Sequence, residues 1–196
     1  MSNLFQKLEL EAFRKGITPR TKESREWFRK RAQQLRRINR TDLMKEEELI
    51  RADKHILGTM NMFFYDPKTK DKLPFYDTFP LVIVVGPAEG GFHGLNLHYL
   101  PPTLRAKFLD GLIGIASNKA YDESTKFNAS YAYMKRASNM RYFRPCFKHY
   151  LTDHVKSRFS RVPAPEWEIA TFLPTAQWKG ATANQVYSDS RKKING

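Results

Sequence analysis

The densest apolar run in the chain is Leu81 to Val85, five consecutive aliphatic residues, most of them β-branched, between Pro80 and Gly86. A run that short, with that branching and those breakers, predicts a buried strand. Gly90-Gly91 predicts a turn, because glycine reaches positive φ without steric cost. Leu95, Leu97 and Tyr99 then alternate with Asn96 and His98. This period of two predicts a half-buried strand with Asn96 and His98 turned to solvent. Pro101-Pro102 stops it, and Leu104, Phe108, Leu109 and Leu112 recur at helical spacing, with Pro102 suited to the first turn. The stretch from Leu73 to Asp110 therefore reads as a hairpin followed by a helix on one core.

On the N-terminal side, Leu4, Phe5, Leu8, Phe13 and Ile17 are scattered apolar anchors. Thr18-Pro19 is a helix-start signal. Trp27, Phe28, Leu35 and Ile38 can share one broad face of a helix over Lys22 to Asn39. Asp42 to Lys54 reads as a further short helix and Gly58 as a helix stop. Met60 to Tyr65 and Leu73 to Tyr76 read as strands around the turn-rich Asp66 to Lys72. Further on, Asn128 to Asn139 is hard to assign. Arg141 to Leu151 predicts a helix beginning near Pro145, Val155 to Val162 and Glu166 to Leu173 read as strands, and Ala176 to Arg191 reads as a helix. The fold class expected is α+β: a small, mostly antiparallel sheet or SH3-like open barrel with an N-terminal helical extension. The expected division is a basic helical arm over 1–57 and a core domain over 58–196.

Charge changes this picture most. The 196 residues carry a formal net charge of +14, with a pI near 9.9. Between Ala12 and Thr41 there are eleven Lys/Arg against two acids. Residues 59–123 are nearly neutral, with six basic and seven acidic side chains, and residues 124–161 hold nine Lys/Arg against Asp153 alone. A neutral body between two cationic flanks points to a polyanionic partner, nucleic acid before an anionic membrane surface. Phosphate contacts by Lys and Arg release condensed counterions, and the arginine-rich arm suits forked contacts. The candidate DNA-binding residues are Arg20, Arg25, Arg29, Lys30, Arg36, Arg37 and Arg40 in the first block. In the second they are Lys135, Arg136, Arg141, Arg144, Lys156 and Arg158. The alternative for the arm is docking on acidic neighbouring subunits. Tyr142 or Phe143 can stack on bases, although aromatics at this density usually build core, as expected for Phe143 and Phe147.

Other chemistry is weakly signalled. His93, His98, His149 and His154 lack any spacing diagnostic of a zinc site, and no metal or cofactor is expected. Gly86 to Gly91 lacks the Gly-Lys-Ser/Thr ending of a phosphate loop. Asp66, Asp71 and Asp77 fall in turns at no spacing typical of a metal-dependent nuclease. The single cysteine, Cys146, reads as buried core and fits a reducing compartment. No apolar run approaches the roughly 20 residues of a membrane span, and no signal-peptide pattern opens the chain.

Three segments carry a resemblance: MFFYDPKTKDKLPFYDTFPLVIVV, GFHGLNLHYLPPTLRAKFLD and EWEIATFLPTAQWKGATANQVYSDSRKK. They resemble a family of small virion proteins of T4-like contractile-tailed phages, of the DNA end protector or head- or neck-completion type. The likeness covers about residues 59–113 and 155–193, more loosely the basic arm, and brings no catalytic residues with it. It implies a non-enzymatic structural protein in a virion, made in the host cytoplasm. The partners it implies are the packaged double-stranded DNA end and other head, neck or tail proteins in a symmetric assembly. Two alternatives stay open. One is a connector of tail, neck or baseplate that docks through its arm; the other is an enzyme acting on nucleic-acid ends.

Overall fold

The computed structural model describes residues 3–116 and 118–196. The chain opens with α1 (Leu4–Arg14), α2 (Lys22–Gln33) and a single turn, α3 (Arg40–Leu43). The start of α1 is closed by Glu46, whose carboxylate accepts from the amides of Leu4 at 2.9 Å and Phe5 at 3.2 Å. Thr21 and Ser24 form a capping box at the start of α2, three residues beyond the Thr18-Pro19 signal. Phe5, Leu8, Ala12, Phe28 and Ala32 enter the same core as the sheet.

Strands β1 (Ile50–Ala52) and β2 (Met60–Met62) follow, then β3 (Tyr76–Asp77), β4 (Leu81–Ala88) and β5 (Gly91–Asn96). Two helices come next, α4 (Pro102–Ala116) and α5 (Glu123–Ala137), and then β6 (Phe147–Leu151) and β7 (Phe159–Val162). The chain ends with α6 (Trp167–Phe172), β8 (Trp178–Lys179) and α7 (Ala183–Asn195). The fold is α+β. Its main sheet is open and antiparallel, ordered β1-β7-β2-β4-β5-β6, and it does not close into a barrel. A separate two-stranded ribbon pairs β3 with β8.

The aliphatic run of β4 is explained by burial on both faces. Leu81, Ile83 and Val85 enter the large core under the helices, while Val82 and Val84 enter a second cluster with Phe63, Phe92, Tyr150 and Phe159. Gly90 takes φ +69° at the hairpin, and Gly91 lies so close to the Tyr150 carbonyl that a Cβ there would overlap it.

Several elements differ from their sequence patterns. Leu95 to Tyr99 is not one strand: β5 ends at Asn96, whose side-chain oxygen accepts from the His98 amide at 3.0 Å and starts a 3₁₀ turn, Leu97–Tyr99. Asn96 and His98 are both fully buried, not solvent-facing. The helix expected near Pro145 shrinks to a 3₁₀ turn, because FKHYL finds the open edge of β5 and becomes β6. The expected strand Glu166 to Leu173 is instead α6. A short buried apolar run carries no decisive period, and Trp167 Nε1 donates to the Val162 carbonyl at 2.9 Å, folding the chain back. The second half of Asp42 to Lys54 is edge strand β1, not helix. Leu73 to Tyr76 supplies little strand, and Tyr76 pairs with Lys179 in the ribbon. The unassigned stretch before Asn139 lies within α5.

Candidate nucleic-acid interface

The cations of the first block divide into engaged and available groups. Arg25 is buried on α2, where its guanidinium meets Asp110 on α4 and approaches Glu168 on α6 at 4.0 Å. Arg40 is also engaged: its Nε and Nη2 donate to the carbonyls of Thr175 at 2.7 Å and Ala176 at 2.8 Å. Arg29 forms a forked pair with Glu26, and Lys30 lies 3.4 Å from the same carboxylate. Arg31 grips Glu11 and ties α2 to α1. Arg20 occupies the left-handed region at φ 62°, its amide held by Glu168 at 3.1 Å while the residue stays exposed. Arg36 and Arg37, just past α2, are exposed and form no ion pair with any described residue.

In the second block, Lys135 and Arg136 project from the last turn of α5 and are exposed. Arg141 donates to the Ile194 carbonyl and so joins this segment to the end of α7. Arg144 is exposed in the 3₁₀ turn. Lys156 is exposed and reaches only the Asp153 carbonyl at 3.5 Å, while Arg158 forks onto Asp53 at 2.6 and 2.8 Å. Tyr142 is 60 % exposed, whereas Phe143 is buried edge-on against Phe108.

One cluster forms only on folding. Arg144, Pro145, Lys148 and Lys193 bound a cleft of about 380 Å³. Lys148 comes from β6 and Lys193 from α7, and neither is among the candidate DNA-binding residues of the sequence. Lys148 looks like an ordinary strand lysine, but its Nζ lies 3.8 Å above the Tyr99 ring. Burial, reinforced by Lys193, holds its ammonium down at about 8. Lys193 pairs with Asp189 at 2.9 Å. Cys146 is buried beneath, and burial pushes its thiol up to about 12.

Sequence spacing also concealed a buried polar chain. His98 Nδ1 lies 2.6 Å from Asp77 Oδ2, and its Nε2 lies 3.1 Å from Thr175 Oγ1. Burial holds the imidazole below its ordinary value and therefore neutral. Burial alone would raise the Asp77 carboxyl. His98 and the amides of Gln177 and Phe79 outweigh it and keep the carboxylate ionised. Nδ1–H then donates to Asp77 and the Thr175 hydroxyl donates to Nε2. The order resembles a nucleophile–base–acid chain, but Thr175 and His98 are wholly buried, so no reacting atom can sit beside the hydroxyl. This chain fastens the β3–β8 ribbon to the main sheet. Among the described residues no group of three or more His, Cys, Asp or Glu converges as a metal site, and no helix is long and apolar enough to cross a membrane.

These features define an α+β body with an open sheet, exposed cations along its surface and three basic residues around one cleft. The family model described as Phage T4 terminal DNA protecting protein matches residues 3–193, and the chain belongs to that family. No curated protein and no solved structure matches it.

Proposed function

We propose that this chain binds the ends of double-stranded phage DNA through phosphate contacts and covers them, with no chemistry on the nucleic acid. The observation that carries the reading is the convergence of Arg144, Lys148 and Lys193 on one cleft, in a chain of the terminal DNA protecting family. Arg36, Arg37, Lys135 and Arg136 are further exposed cations available for phosphate contacts. In this reading the protein acts in the virion, at the end of the packaged genome and beside other head or neck proteins. Two measurements test it: the affinity for blunt duplex DNA across a salt series, and the resistance of bound duplex to a processive exonuclease. Affinity falls linearly with salt on logarithmic axes and the bound ends survive digestion. Salt-independent binding, or ends digested as fast as free DNA, overturns the reading.

A second reading has separate support. Phe13 is 79 % exposed and Leu10 is 46 % exposed on α1, large apolar side chains within the 1–57 segment. Exposed apolar groups of this kind favour a protein contact, here a neighbouring subunit of head, neck or tail. Charge reversal at Arg29, Arg36 and Arg37 then blocks particle assembly while leaving DNA affinity unchanged.

A further inference from the structure

Two cavities meet at Lys148. The cationic cleft shares Lys148 and Lys193 with a second cavity of about 440 Å³, a volume within the roughly 300–1,000 Å³ of small-ligand sites. The walls of this second cavity include Phe75, Tyr76, Tyr99 and Tyr150. Tyr150 and Lys148 are two residues apart on β6, so strand alternation turns both to one face. The Phe75 and Tyr99 rings lie 6.2 Å apart at 34°, and Tyr99 meets Trp178 edge-on at 4.8 Å, which fixes its plane. The one carboxylate on the wall, Asp77, is already held by His98, Asn96 and two amides. The aromatic cavity and the cationic cleft therefore adjoin, with Lys148 and Lys193 as their common wall.

We propose that the two cavities are one site for the terminal nucleotide of a DNA strand, with the 5′-phosphate among Arg144, Lys148 and Lys193 and the base against the aromatic walls. This rests on the reading that the chain binds DNA ends. A terminal phosphomonoester carries about −1.5 to −2 charges at neutral pH, whereas a bridging diester carries one. Three cations, with Asp189 paired to Lys193 and Asp77 on the far wall already held by its own donors, match the former. Aromatic faces accept any base by stacking, which suits a site that must hold an end regardless of sequence. An internal nucleotide is stacked and continues on both sides; a terminal one can leave the stack at least cost.

The test compares the full chain binding three duplexes of one sequence: blunt with 5′-phosphates, blunt with 5′-hydroxyls, and a dumbbell closed by hairpins at both ends. Deoxyadenosine monophosphate serves as a competitor. The phosphorylated blunt duplex binds tightest and the dumbbell weakest. Arg144→Gln, Lys193→Gln and Tyr76→Ala each weaken blunt-end binding by about tenfold, the scale of a lost charge-assisted contact or a lost stacked base, and weaken dumbbell binding by less. Arg144 and Lys193 are exposed, so these variants fold even where a Lys148 variant does not. Equal binding of blunt and dumbbell DNA overturns the end site while leaving DNA binding intact. No binding to any duplex overturns the underlying reading instead. Displacement of the blunt duplex by micromolar mononucleotide shows a free-nucleotide site and overturns the assignment to DNA ends.

Discussion

His98 Nδ1 lies 2.6 Å from Asp77 Oδ2, and the two side chains are 0 % and 1 % exposed. Removing His98 strands a buried carboxylate, the costly way to break such a pair. His98→Ala should lose about 3–5 kcal/mol of unfolding free energy, read from urea transitions. Thr175→Val removes one neutral hydrogen bond and should cost only about 1 kcal/mol. Similar costs for the two variants contradict the penalty assigned to the carboxylate that loses its partner.

Two arginines of the same block should behave oppositely. Arg25 is buried between α2, α4 and α6. Arg25→Ala leaves Asp110 and Glu168 without their cation and should destabilise the fold by about 3 kcal/mol. Arg36→Gln combined with Arg37→Gln should leave stability within about 0.5 kcal/mol. If both arginines touch phosphate, this double variant also lowers the salt-dependence slope of DNA binding by about 2. An unchanged slope takes these two residues out of the interface.

Glu166 is buried near Glu9 and Glu48, and burial followed by these two carboxylates lifts its own carboxyl to about 7. The folded protein therefore binds a proton that the unfolded chain releases near the ordinary value of 4.5. Stability should fall as pH rises from about 4.5 to about 7 and then level off on this account. Glu166→Gln should match the wild type at pH 4 and exceed it at pH 8 in urea midpoint. A variant less stable than wild type at pH 8 refutes the ionisation cost.

Lys148 gives a pH signature to the end site. The groups around it are Lys193, Asp189, Arg144, the Tyr99 ring and the buried Cys146 thiol. Burial and then Lys193 lower its ammonium to about 8, so protonation costs the free fold stability below that pH. An anion in the cleft favours the protonated form. Affinity for 5′-phosphorylated ends should therefore drop as pH passes through about 8, with the dumbbell showing no such step. A flat profile from pH 7 to 9.5 argues against phosphate contact at Lys148.

Local chemistry made part of this protein legible. The β-branched run between Pro80 and Gly86 could only be a buried strand, Gly90 marked its hairpin, and Pro102 marked the start of α4. The charge blocks along the chain point to a polyanion, and three segments point to the phage family. Tertiary structure decided the rest. Whether FKHYL became helix or strand depended on an open edge at β5, and whether EWEIATF became strand or helix depended on whether a partner strand stood beside it. Neither condition is written in those residues. The same holds for charge: Arg25 and Arg36 are eleven positions apart and chemically identical, yet one is sealed against carboxylates and the other is exposed. Lys148, Lys193, Tyr99 and Tyr76 are far apart along the chain, and only the packing of β6, α7, β3 and the turn after β5 brings them around one cavity.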